Sequence, residues 1–153
     1  MQIRTASSPE DLNIVRELFE EYWRSFGFTP CFQGFAAEME ALPGHYAPPT
    51  GRLALAFTKA GAVGCVALRR LDDRRAEMKR LYVRATARHQ GIGAALLEYV
   101  IDQARSTGCC ELVADTLPVM AQALEMYQKR GFALIGPYTQ DPTPGAVHIR
   151  LSL

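Results

Sequence analysis

The segment Arg88-His89-Gln90-Gly91-Ile92-Gly93-Ala94 constrains this chain more than any other, because it sets a cation and two glycines where an extended run ends and a helical one begins. The extended run spans 77–83. The helical pattern covers 92–106, with Gly108 just beyond as its stop. A helix that starts there points its unsatisfied N–H groups and the positive end of its dipole back into the loop. Glycine at 91 and 93 removes Cβ atoms that would hold an anion away from the backbone, and permits positive φ where the turn needs it. Arg88 adds a fixed charge with a forked set of donors. The junction is suited to phosphate.

Two familiar phosphate loops do not fit. A Walker A loop requires Gly-x-x-x-x-Gly-Lys-Ser/Thr, and no such Lys-Ser/Thr follows; a dinucleotide fingerprint requires a third glycine, which Ala94-Ala95-Leu96 does not supply. The pattern that remains is Arg-x-x-Gly-x-Gly. By itself it also suits an ordinary strand-to-helix turn, so the rest of the chain must supply the context.

From the N-terminus, 2–6 reads as a strand, and Ser8 then caps a helix with Pro9 in its first turn. That helix runs to Phe26, with Leu12, Val15, Leu18, Phe19, Tyr22 and Phe26 on its apolar stripe and Arg16, Glu17, Glu20, Glu21 and Arg24 on a solvated face. A shorter helix spans 33–42. The stretch 43–51, with three prolines and two glycines, breaks regular structure and folds back as a loop. Strands at 52–58 and 63–71 form a hairpin about Lys59-Ala60-Gly61, and Asp72-Asp73-Arg74-Arg75 turns into the strand that ends at Val83. After the long helix come a strand at 111–115, a helix at 120–130, and strands at 133–135 and 146–153. No internal repeat is visible.

The second motif is Tyr127-Gln128-Lys129-Arg130-Gly131-Phe132 at the end of the last helix. Together with Arg88 to Ala94 and the element order, it resembles the GCN5-related N-acetyltransferase (GNAT) family across essentially the whole chain. The resemblance implies one α/β (α+β) domain over 1–153, with a mixed central sheet of about seven strands flanked by about four helices. It also implies central strands that splay apart to admit the pantetheine arm of acetyl-CoA. Under it, Arg88, His89, Gln90, Gly91, Ile92, Gly93 and Ala94 hold the pyrophosphate, and Leu81, Tyr82 and Val83 offer backbone groups to the acetyl carbonyl and the pantetheine amides.

The resemblance further places the Tyr127 hydroxyl near the coenzyme sulfur, where a phenol can protonate the departing thiolate. Gly131 and Phe132 need no such role, being a helix-terminal glycine and the first core residue of the next strand. An acceptor amine, mostly protonated near neutrality, also requires a proton acceptor. Glu77 matches a glutamate that plays this part in some family members, with Glu38 and Glu40 as weaker alternatives. Strict alternation sets Glu77 on the face of Leu81 and Val83, so its route to a cleft depends on twist or a bulge; a solvated carboxylate beside Lys79 is the competing reading. Where many relatives carry an asparagine, this chain reads Asp115-Thr116-Leu117-Pro118, which leaves open whether the Thr116 hydroxyl takes its place or the contact is absent.

Function is thereby narrowed to an acetyl-CoA-dependent N-acetyltransferase acting on an amine, or to a non-catalytic acyl-CoA-binding domain of the same fold. A formal charge of +1 gives no broad attraction to nucleic acid or membrane surfaces. The N-terminus lacks the apolar core of a signal peptide and no run approaches a membrane span, so a cytoplasmic location is expected. Cys31, Cys65, Cys109 and Cys110 show no zinc-type spacing, no metal is expected, and Cys65 and Cys110 read as buried strand residues. The acceptor, whether a small molecule or a peptide, is not legible, and a homodimer is the common default for the oligomeric state.

Overall fold

A computed structural model describes residues 1–27 and 34–153. Its strands are β1 (Gln2–Thr5), β2 (Arg52–Thr58), β3 (Gly61–Arg70), β4 (Arg75–Val83), β5 (Glu111–Thr116), β6 (Ala133–Ile135) and β7 (Val147–Ser152). Its α-helices are α1 (Pro9–Ser25), α2 (Phe35–Ala41), α3 (Ile92–Ser106) and α4 (Ala121–Arg130). The seven strands form one mixed sheet in the order β1-β2-β3-β4-β5-β7-β6, in which only β4 and β5 pair in parallel. This is the expected order of elements and the expected fold class. Among the described residues no helix is long and apolar enough to cross a membrane.

Local chemistry sets the helix ends. Ser8 Oγ accepts the Asp11 N–H at 3.1 Å while the Asp11 carboxylate accepts the Ser8 N–H at 3.4 Å, a reciprocal cap with Pro9 in the first turn. Asp11 also takes both arms of Arg4 at 2.7 and 2.8 Å, which ties α1 to β1. Gly91 opens α3 at φ +79° and Gly108 follows its end at φ +84°. Gly131 closes α4 at φ +112°, a conformation costly for any side chain.

Two apolar clusters lie on the two faces of the sheet. Under α3 and α4 they include Leu68, Met78, Leu96, Ile101, Leu112 and Phe132; under α1 and α2 they include Phe19, Trp23, Leu55, Cys65 and Tyr46. The stretch 43–51 folds back as expected and buries Tyr46 against Phe19, though it contains one short 3-10 turn, Gly44–Tyr46, rather than none. Glu17, Glu20 and Arg24 are exposed as expected, while Glu21 is half-buried where Arg84, just past β4, reaches it at 2.8 Å and Glu17 at 2.9 Å.

Cys65 is buried, but Cys110 is exposed and Cys109 takes the core position instead. The cause is the strand boundary. β5 begins at Glu111, so Cys110 is the turn residue before it and Cys109 faces inward. Cys31 and Gln33, the expected first residue of the second helix, lie outside the described residues.

Candidate active site

The sheet forks at its centre. β4 and β5 pair through Arg75 with Glu111, Ala76 with Leu112 and Glu77 with Val113, and there the ladder ends. Beyond it, the edge of β4 toward β5 has no strand partner. Met78, Leu81, Ala114 and Tyr127 line the gap between the two strands.

A bulge turns β4 over just past this point. Cys65 lies opposite Tyr82 and Ala67 opposite Lys79, so Arg80 and Leu81 both stand opposite Val66, and Arg80 has φ +60°. Each residue after the bulge therefore faces the side opposite to that predicted by alternation. Leu81 and Val83 pack toward α3, Tyr82 packs toward α1, and Glu77 shares the face of Tyr82. The expectation that Glu77 shares a face with Leu81 and Val83 is thus corrected. The Arg80 side chain anchors the bulge. It is 4% exposed, donates to Glu38 at 3.0 and 3.1 Å, and stacks 4.6 Å above the Trp23 ring.

From the fork a cleft of about 780 Å³ runs to the start of α3. Leu81, Tyr82, Val83, Arg88, His89, Gly91, Ile92, Gly93 and Ala94 all line it. Of the expected loop residues Gln90 alone does not; it is exposed beside the cleft. Gly93 is an ordinary helical residue, and a Cβ there would stand 3.8 Å from both Met126 Sδ and Val83 Cγ2 in the cleft wall. Arg88 donates through Nε to the Val83 carbonyl at 2.9 Å and lies 5.9 Å from the Tyr82 ring centre.

Tyr127 is 3% exposed and packs 5.6 Å from the Phe132 ring. Its hydroxyl makes no hydrogen bond to any described residue. Burial, reinforced by neighbouring Tyr22, raises its pKa above the usual tyrosine value. Gly131 and Phe132 serve as the sequence suggests: Phe132 N–H returns to the Tyr127 carbonyl at 3.0 Å and its ring joins the core.

Glu77 is 1% exposed, not a solvated strand-end carboxylate. Arg69 Nε donates to one oxygen at 2.6 Å, the Tyr138 hydroxyl donates to the other at 2.5 Å, and Lys79 stands 4.0 Å away. Burial lowers the pKa of Lys79, and burial together with Glu77 raises that of Tyr138. Thr116 is buried away from the cleft, its hydroxyl directed at Met120 Sδ at 3.4 Å. Glu38 is committed to Arg80 and to Tyr46, whose hydroxyl donates at 2.6 Å, and Glu40 is exposed.

Sequence reasoning missed Arg69 and Tyr138 and left open whether β4 carries a bulge. For the bulge a signal exists: adjacent Lys79 and Arg80 put Met78 and Leu81 three residues apart, where a regular strand would space them by two. Tyr138 has no such signal, since it sits in an irregular connection between β6 and β7.

These features define a class of α/β protein, one whose mixed sheet is forked between two parallel strands beside a glycine-rich helix start. The family model described as Acetyltransferase (GNAT) family matches residues 13–132. The chain is 33% identical to an uncharacterised N-acetyltransferase of Schizosaccharomyces pombe, over 100% of this chain and 95% of that protein. It is 34% identical to an IAA acetyltransferase of Azospirillum brasilense, over 84% of each. Its fold is similar to that of a GNAT-family acetyltransferase from Staphylococcus aureus, with a TM-score of 0.83 at 18% identity, covering 99% of this chain and 98% of the other. The chain belongs to the GNAT family of acetyltransferases.

Proposed function

We propose that residues 1–153 form one N-acetyltransferase domain, which moves the acetyl group of acetyl-CoA to an amine by direct attack of nitrogen on the thioester. The fork carries this reading. β4 and β5 stop pairing after Glu77 and Val113, and this leaves the backbone of Leu81, Tyr82 and Val83 beside a cleft that ends on the start of α3. An extended, amide-bearing arm can add to such an edge as a strand would.

The chemistry of the cleft fits both ends of the donor. At α3, the free N–H groups of the first turn and Arg88 suit a pyrophosphate; Gly91 and Gly93 leave the backbone open, His89 and Ala94 flank it, Ile92 supplies an apolar wall, and Gln90 contributes backbone only. When bound, the coenzyme supplies a thioester whose carbonyl carbon accepts the nitrogen. A backbone N–H of β4 at the fork stabilises the oxygen that gains charge. Tyr127, a protonated phenol at neutral pH, donates to the leaving sulfur. Thr116, bonded to Met120 and outside the cleft, makes no contact with the coenzyme in this reading. Glu77, the carboxylate that the sequence offers as proton acceptor, is held by Arg69 on one oxygen and by Tyr138 on the other.

Thiol release from acetyl-CoA across a panel of amines tests the proposal. The expected result is acetyl-CoA binding with amine-dependent release. Binding with no release on any amine would establish the non-catalytic acyl-CoA-binding alternative, and absence of binding would refute both.

A further inference from the structure

Near the fork, on the sheet face covered by α1 and α2, lie the carboxylates of Glu38, Glu77 and Asp115. Two are fully engaged. Glu38 receives Arg80 and Tyr46, and Glu77 receives Arg69 and Tyr138. Asp115 differs: it accepts no hydrogen bond and forms no ion pair with any described residue. Its place in the fold explains why it faces the gap. Leu112 and Ala114 point into the core beneath α3, so alternation turns Asp115 to the opposite face, at the end of β5 beyond the last pairing with β4. There it lines the same gap as Tyr127, Tyr22 and Lys79.

A half-buried carboxylate without a donor is costly, and the ligand that best relieves the cost is a cation carrying N–H groups. Lys79 across the gap attracts Asp115 through space but makes no ion pair with it; it stands 4.0 Å from Glu77, and burial disfavours its charged form. Arg80 is neutralised by Glu38. We infer that Asp115 binds the acceptor nitrogen as an ammonium ion and removes its proton, so that the proton-accepting carboxylate is Asp115 rather than Glu77.

This rests on the acetyl-transfer reading above and specifies its acceptor side. The protons balance as follows. The ammonium ion gives one proton to Asp115, which passes it to solvent. The nitrogen lone pair then attacks the thioester carbon, the C–S bond breaks with its electron pair on sulfur, and sulfur takes the Tyr127 proton. The second nitrogen proton, lost after attack, restores Tyr127. Amide, free thiol and one solvated proton result.

The test compares Asp115→Asn, Asp115→Glu and Glu77→Gln with the wild type on the best amine of a panel, with acetyl-CoA binding followed separately by calorimetry. Asp115→Asn is expected to bind acetyl-CoA as the wild type does, to raise the amine KM, and to lower kcat/KM about 100-fold or more. Asp115→Glu should recover a substantial part of that loss, and Glu77→Gln should cost less than Asp115→Asn. Wild-type kinetics in Asp115→Asn, or equal loss in the Asn and Glu variants with acetyl-CoA binding intact, overturns the inference while leaving acetyl transfer standing. A wild type that binds acetyl-CoA but acetylates no amine overturns both.

Discussion

The two glycines at the start of α3 should answer to the same substitution in opposite ways. Gly91 sits at φ +79° with nothing within 4 Å of where a Cβ would be. Alanine there meets no clash, only the left-handed backbone penalty of roughly 1–2 kcal/mol. For a domain of this size that amounts to about 2–8 °C in Tm. Gly93 lies inside α3, and its added methyl would make ordinary contacts with Met126 and Val83 at 3.8 Å. Relief of glycine's helix penalty should then raise stability by up to about 1 kcal/mol. The same methyl enters the cleft where an anion must approach the first-turn N–H groups. Loss of one charge-assisted hydrogen bond is worth about 1.5–3 kcal/mol, which corresponds to about 10- to 150-fold in Kd for acetyl-CoA. Thermal unfolding and calorimetric titration of Gly91→Ala and Gly93→Ala give both quantities. A Gly93→Ala protein that binds acetyl-CoA like the wild type would refute the assignment of this helix start as the pyrophosphate site, and one that loses stability would refute the helix-propensity argument.

Tyr127→Phe should change stability by no more than about 0.5 kcal/mol, since the hydroxyl has no described partner to lose, yet lower kcat by about 100-fold or more; unchanged turnover would remove Tyr127 from proton donation. Arg88→Gln should weaken acetyl-CoA about tenfold and flatten the salt dependence of binding, as measured by titration at two ionic strengths. Asp11→Ala should cost about 2 kcal/mol at neutral pH through loss of the cap and the Arg4 contacts. The hydrogen bonds from Arg4 hold the Asp11 carboxyl below the usual carboxylate range. The stability it contributes is therefore complete above the unfolded value of about 4 and is lost as pH falls toward the lower folded value. Urea melts at pH 7 and pH 3 should show the gap between wild type and variant narrowing in acid.

What was legible in the sequence was local. Ser8, Pro9, Gly91, Gly108 and Gly131 mark helix ends through their own backbone chemistry, and the helices and strands they bound follow in the expected order. Misreadings arose where a neighbour from a distant element decides the outcome. Glu77 reads as a solvated acid or a base because its partners, Arg69 and Tyr138, come from another strand and from the connection between β6 and β7. Glu21 reads as solvated because Arg84, which half-buries it, is 63 residues away in sequence. Asp115 reads as a strand residue beside the position where many relatives carry asparagine; what sets it apart, a missing partner at the end of a broken ladder, exists only in three dimensions.

The bulge at Arg80 joins the two halves of the site. Upstream of it, alternation gives Met78 to the α3 core and sends Glu77 and Lys79 to the α1 side; downstream, Leu81 and Val83 return to the α3 side and Tyr82 to the α1 side. A regular strand would have put the aromatic ring of Tyr82 beneath α3 and the small wall residue Val83 away from Gly93. With the extra residue, Val83 reaches the cleft wall beside Gly93 and its carbonyl meets Arg88 at 2.9 Å. The cost is a non-glycine residue at φ +60°. What offsets it is the Arg80 side chain, ion-paired to Glu38 of α2 and stacked on Trp23 of α1. The helices α1 and α2 therefore hold in place the backbone conformation that shapes the cleft on the α3 side, which is a physical reason for the two sides of the fork to be built as one unit.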